Sequence, residues 1–318
     1  MTASEPATDA SLLDGVGAES VYRDVDGVEL HAVVAGDESD PLVVLLHGYP
    51  EFWYGWHRQI PRLVDAGYRV LAPDGRGYNL SDRPDGVRSY RIERLSDDVA
   101  GLIASEGRES AHVVGHDWGA AVAWDLALRR PDVVDRLGIL NVPHPTVFED
   151  RLTSDPKQMR KSWYMFFYQL PRLPEWYTRR NDYAAFVSAF RTAEPGTFPE
   201  ETLDRYRASW EAAGSITGMI NWYRALFRHG EDPPREQVPQ PTLVLWGVED
   251  PYLRPEMASE SVDYCEDGRL ERLPEATHWL NHERPETVAD HIIDHLAGDA
   301  ADSGDGEDPG ETPDAAAE

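Results

Sequence analysis

The chain has 318 residues, 41% of them apolar, with ten Trp, fourteen Tyr and eight Phe, enough for one large α/β domain carrying an insertion. Asp and Glu total 58 against 30 Lys and Arg, a formal net charge of -28, and only two basic residues are lysines, Lys157 and Lys161. That field argues against a nucleic-acid partner, there being no basic stripe to neutralise phosphates, and it suits a halophilic protein kept hydrated in molar salt, where self-repulsion is screened over about 3 Å.

Residues 1–18 are small, polar and acidic, and are expected to form a flexible N-terminal tail. They lack the basic and apolar regions of a signal peptide. Core segments are expected over 19–142 and 239–297. In the first, Val28–Val34 alternates apolar and polar residues and ends an opening hairpin turned at Asp26-Gly27. Leu42–Leu46 is a continuous apolar run, as in a strand buried on both faces. Arg69–Ala72 and His112–Gly115 read as short strands, Ala120–Arg130 as a helix and Leu137–Val142 as a strand. Residues 143–238 then break the rhythm: they are helical, aromatic and punctuated by prolines, and are expected to form a helical cap. The strand Thr242–Trp246 and a final helix near Pro285–Leu296 close the core. Strands alternating with helices imply a mostly parallel sheet flanked by helices. Residues 298–318 hold eight acidic residues and no basic one, and read as an acidic disordered tail. The lone Cys265 forms no intramolecular disulfide or cysteine-based metal site, and no apolar stretch reaches the roughly 20 residues of a membrane span. A cytoplasmic location is expected.

The chemistry centres on Gly115-His-Asp117-Trp-Gly119, between a strand and a helix. A nucleophile on such a sharp turn needs small neighbours. The usual occupant is Ser; here it is Asp. A carboxylate is ionised at neutral pH and needs no base to act as a nucleophile. Attack on an acyl group would give a reactive anhydride, whereas attack on a saturated carbon gives an ordinary ester that water can hydrolyse. Alkylating electrophiles, epoxides or alkyl halides, are therefore the expected substrates. Hydrolysis of the ester needs a base and a residue to orient it. His278 lies shortly before the final helix, where the chain order nucleophile, acid, histidine puts the base, and Asp250 follows a strand as its acid partner, with Glu249 the adjacent rival. His116 and His282 are read as structural. The turn His47-Gly-Tyr-Pro50 is expected to present the Tyr49 N–H, which with the Trp118 N–H forms an oxyanion hole.

Together, the runs His47–Trp56, Asp74–Pro84 and Gly115–Gly119, the pair Glu249-Asp250 and Thr277-His-Trp279 resemble the epoxide hydrolase and haloalkane dehalogenase branch of the α/β-hydrolases, over roughly residues 20–297. The resemblance implies an α/β-hydrolase fold, a small-molecule epoxide and water as reactants, and no metal or organic cofactor. Tyr164 and Tyr223 match the two cap tyrosines of epoxide hydrolases, with Tyr168 competing for the first position. An opening epoxide leaves as an alkoxide and needs a proton, which a halide does not. Tyr49 also stands where a large group of dehalogenases resembles His-Gly-Asn-Pro, and Trp118 where fluoroacetate-type enzymes carry Arg. Dehalogenation by the same residues and a non-catalytic binding or sensor role are the alternatives. Assembly into a homo-oligomer is left open.

Overall fold

The computed structural model describes Thr8 and residues 10–298. Its strands are β1 (Ala18–Val25), β2 (Val28–Ala35), β3 (Leu42–Leu46), β4 (Arg69–Pro73), β5 (Ala111–His116), β6 (Val134–Leu140), β7 (Thr242–Gly247) and β8 (Gly268–Leu273). They form one sheet in the order β1-β2-β4-β3-β5-β6-β7-β8. β1 and β2 form an antiparallel hairpin, β2 pairs antiparallel with β4, and every other pairing is parallel. The hairpin turns at Asp26 and Gly27, both at positive φ (51° and 78°) as its two central positions require. β3 is buried along its whole length between helices on both faces, which is why it reads as an unbroken apolar run.

Three expectations change. Ala10–Val16 is a helix, not flexible chain: Leu12 is buried, and Leu13 and Val16 pack on the core beside it. β6 begins three residues earlier than its apolar run suggests and stops at Leu140, two residues short, because Asn141 turns the chain at φ 49°. β8 was hidden by its composition. Gly-Arg-Leu-Glu-Arg-Leu is half charged, as an edge strand paired only with β7 can be. Residues 1–7 and 9 of the expected N-terminal tail, and the acidic tail beyond Gly298, lie outside the described residues.

Seven helices lie between β6 and β7: Pro145–Ser154, Pro156–Lys161, Trp163–Phe167, Leu173–Arg179, Ala184–Phe190, Glu200–Glu211 and Ser215–His229. Indole N–H groups tie them to the loops above the sheet, Trp222 donating to the Arg76 carbonyl at 3.0 Å and Trp210 to that of Pro50 at 2.7 Å. Gly218 meets Gly77 backbone to backbone; a Cβ on Gly218 would sit 2.7 Å from the Gly77 Cα. The loop after β4 is itself pinned. Asp74 accepts from His31 Nδ1 (2.7 Å), the Trp53 N–H (3.0 Å) and the Asn79 amide (2.8 Å). Among the described residues no helix is long and apolar enough to cross a membrane.

Candidate active site

Asp117 sits between the C-terminal end of β5 and the helix Trp118–Arg129, at φ 49° and ψ -121°, a backbone conformation rarely adopted by a residue with a Cβ. Three glycines make the bend fit. A Cβ on Gly115 would lie 2.4 Å from the Gly119 carbonyl carbon, one on Gly119 2.2 Å from the Leu46 oxygen, and one on Gly48 2.6 Å from the Asp117 Cβ. β5 thus drives straight into the helix while β3 passes against it, and the carboxylate is thrust above the sheet.

The carboxylate has two distinct oxygens. Oδ1 accepts the Tyr49 N–H at 2.7 Å, and Oδ2 lies 3.4 Å from His278 Nε2. Burial pushes the Asp117 carboxyl up, but the His278 hydrogen bond and charge, the His116 charge and the Tyr49 N–H outweigh it, and the group is held below the ordinary carboxylate range. The Trp118 N–H opens the helix, where the first N–H groups have no partner within the helix itself.

His278 donates from Nδ1 to Asp250 Oδ2 at 2.8 Å. Burial alone would lower this imidazole; the carboxylates of Asp250 and Asp117 on either side reverse that and push it up to about 10. Asp250 is in turn saturated. Its Oδ1 accepts from the N–H groups of Tyr252 (2.6 Å) and Leu253 (2.9 Å), and its Oδ2 from the Asn141 amide (2.8 Å) as well as His278. Glu249 makes no such contact with His278.

Across from Asp117 stands the cap. Tyr164 and Tyr223 line, with Asp117 and Trp118, a cavity of about 460 Å³. Their rings are 5.8 Å apart and nearly perpendicular. Neither hydroxyl has a protein partner among the described residues. Burial, and for both the neighbouring Asp117 charge, raise the two phenols well above 10, so both hydroxyls stay protonated. Tyr168 is placed differently: its hydroxyl accepts from the Tyr49 hydroxyl at 2.8 Å and it is not part of the cavity wall.

Two supporting residues went unseen in the sequence. Asn141 is fully buried at the end of β6; it donates to Asp250 and to the Thr277 carbonyl (3.0 Å) and accepts the Gly247 N–H (2.6 Å), tying three loops together. Its signal is weak, a polar residue inside an apolar run. Glu51, next to the Tyr49 turn, is a buried hub: it bonds His116 Nδ1 (3.0 Å), His282 Nε2 (2.6 Å) and the cap hydroxyl of Tyr206 (3.0 Å). His116 Nε2 then reaches the His278 carbonyl at 2.8 Å. Burial would raise the Glu51 carboxyl, yet the two histidines hold it well below the ordinary range.

Comparison with known proteins places the chain in a family. A family profile described as the alpha/beta hydrolase fold matches residues 41–285. The AB hydrolase superfamily protein YfhM of Bacillus subtilis (strain 168) is 47% identical over 89% of this chain and 99% of its own length. Epoxide hydrolase 1 of Caenorhabditis elegans is 38% identical over 87% of this chain and 70% of its own. Among solved structures, a Bacillus megaterium epoxide hydrolase bound to an inhibitor superposes with a TM-score of 0.80, at 31% identity over 87% of this chain and 99% of that one.

Proposed function

Because the chain belongs to the α/β-hydrolase family, as an epoxide-hydrolase-like member, we propose that it opens epoxides to vicinal diols through a covalent ester on Asp117. The observation that carries this reading is the pair of protonated, unpartnered hydroxyls of Tyr164 and Tyr223 in the same cavity wall as Asp117. A halide leaves as a stable anion and needs no such donor; an alkoxide is a stronger base than a tyrosinate and takes the proton of a neutral tyrosine.

In the proposed route both hydroxyls donate to the epoxide oxygen. Asp117 Oδ2 attacks a ring carbon from the opposite side, the carbon–oxygen bond breaks, and the released oxygen takes a tyrosine proton. Oδ1, already on the Tyr49 N–H, becomes the carbonyl oxygen of the ester. Esterification also removes one of the two negative charges that keep His278 protonated. Its pKa then falls, its proton restores the tyrosinate, and the neutral imidazole becomes the base for the second half-reaction. Held by Asp250, His278 takes a proton from water; the hydroxide adds to the ester carbonyl; and the Tyr49 and Trp118 N–H groups stabilise the oxyanion. Collapse expels the diol oxygen as an alkoxide, which takes the proton held by His278; the acid left on Asp117 passes its own proton to the imidazole, so both residues return to their starting charges. No step calls on a metal or organic cofactor.

The test is a parallel assay on styrene-type epoxides and bromoalkanes in molar salt, the condition favoured by the acidic, lysine-poor composition. Diol formation without halide release is expected. Halide release without diol would transfer the assignment to dehalogenation.

A further inference from the structure

The cap carries a surface that the proposed reaction leaves unused. Between residues 156 and 180 six basic side chains (Lys157, Arg160, Lys161, Arg172, Arg179 and Arg180) stand against one acidic residue, Glu175, in a chain of net charge -28. Both lysines of the chain fall here. Lys161 is tied to the carbonyls of Asp250 (3.0 Å) and Pro251 (2.9 Å), and Glu175 pairs with Arg224. The other five cations are exposed and make no ion pair among the described residues.

The same stretch exposes large apolar side chains. Trp163 is 60% exposed and Trp176 55%, with Phe166, Leu170, Leu173 and Tyr177 also exposed. Ring contacts join them into patches: Trp163 to Phe167 (6.1 Å), Phe167 to Tyr177 (5.6 Å) and Phe166 to Phe227 (5.4 Å). The Arg180 guanidinium lies 4.6 Å over the Trp176 ring. Single exposed apolar residues are ordinary, but a contiguous patch marks an interaction surface. It also borders the cavity, whose wall includes Tyr164 and Met165 from the helix Trp163–Phe167, and Leu226 and Phe227 from the helix Ser215–His229.

We propose that this cap face docks on an anionic lipid bilayer and sets the cavity beside the lipid surface. Exposed Trp, Phe and Leu interleaved with exposed Arg and Lys along one stretch of the cap match the interfacial layer of a bilayer, where rings enter the headgroup boundary and cations meet phosphates. The rest of the molecule is strongly acidic and is repelled by such a surface, so the cap face is the one that can approach. A second copy is the poorer occupant. A two-fold contact would lay one basic patch on another. An apolar epoxide dissolved in the bilayer would then reach the cavity without crossing water; that consequence rests on the proposed reaction, while docking does not.

The full chain is mixed with phosphatidylglycerol or phosphatidylcholine vesicles and floated, both in molar KCl and in the lowest KCl at which circular dichroism shows it folded. Preferential flotation with phosphatidylglycerol is expected, strongest at low salt. The variants Trp163→Ser/Trp176→Ser and Arg172→Glu/Arg179→Glu/Arg180→Glu alter only exposed groups, and each should lose roughly tenfold or more of the bound fraction while melting like the parent. No flotation of the parent, or flotation retained by both variants, would overturn the proposal. So would sedimentation showing a parent dimer that both variants dissociate, which would make the face a protein interface. Flotation is read whether or not diol forms, so failure of the reaction and failure of docking remain distinct.

Discussion

The two walls of the cavity are built on opposite plans. On the sheet side the three ionisable side chains are committed: Asp117 to Tyr49 and His278, His278 to Asp250, and Asp250 to Asn141 and two backbone N–H groups. On the cap side Tyr164 and Tyr223 are held by ring packing, and their hydroxyls are left without partners among the described residues. The first wall holds a strained nucleophile in place; the second keeps donors in reserve for an oxygen brought by the substrate. Preorganisation therefore comes from hydrogen bonds on one side and from shape on the other.

The comparison breaks most visibly at the nucleophile. Asp117→Asn should lower turnover by about four orders of magnitude or more, measured as initial diol formation, because the first covalent bond cannot form. His278→Gln should instead allow the first half-reaction and stall at the ester, seen by intact-mass spectrometry as protein carrying one substrate. On the cap wall, Tyr164→Phe and Tyr223→Phe should each lower kcat/KM by about a hundredfold, the usual size of a general-acid contribution. Tyr168→Phe, whose hydroxyl is already engaged with Tyr49, should change it by less than about threefold. Equal losses at Tyr164 and Tyr168 would erase the distinction between donors in reserve and donors in use.

Smaller effects sharpen the sheet side. Asn141→Ala leaves Asp250 and the Gly247 N–H short of partners, and should cost about 1–3 kcal/mol in a denaturant melt with a kcat loss of roughly tenfold. The smallest effect is in the pH dependence of stability. Asp117 and Glu51 are held below their unfolded values, so their contributions are present above about pH 4 and are lost as pH falls through the folded values. His278 is raised to about 10, so its contribution is full below its unfolded pKa near 6.5 and is lost as pH climbs towards 10. Burial also holds His57, His144 and His295 down to about 3, 4 and 4, so their contribution is full above about pH 6.5 and is lost as pH falls below it. Melting temperature should therefore peak near about pH 6.5 and fall on both sides. In Asp117→Asn the alkaline loss should shrink, because one of the two flanking carboxylates is gone.

The sheet was legible because buried parallel strands advertise themselves as short apolar runs, and Gly115-His-Asp117-Trp-Gly119 because a strained turn tolerates few residues. β8 was not, since an edge strand needs only alternate apolar positions. The helix Ala10–Val16 was masked by acidic surroundings although Leu12 and Val16 carry its packing. Glu51 and Asn141 escaped for a different reason. Their importance lies in partners more than a hundred residues away in sequence for some bonds, which local pattern cannot show. Tyr164 could be separated from Tyr168 only in three dimensions, by which hydroxyl is already bonded.

A single turnover in heavy-oxygen water, with enzyme in excess over epoxide, tests the covalent ester most directly. Hydrolysis at the ester carbonyl puts one heavy oxygen into the carboxylate of the peptide containing Asp117, while the first diol released carries none from that water. Heavy oxygen in the first diol, with the Asp117 peptide unlabelled, would mean that water attacks the epoxide itself and that Asp117 is not the nucleophile.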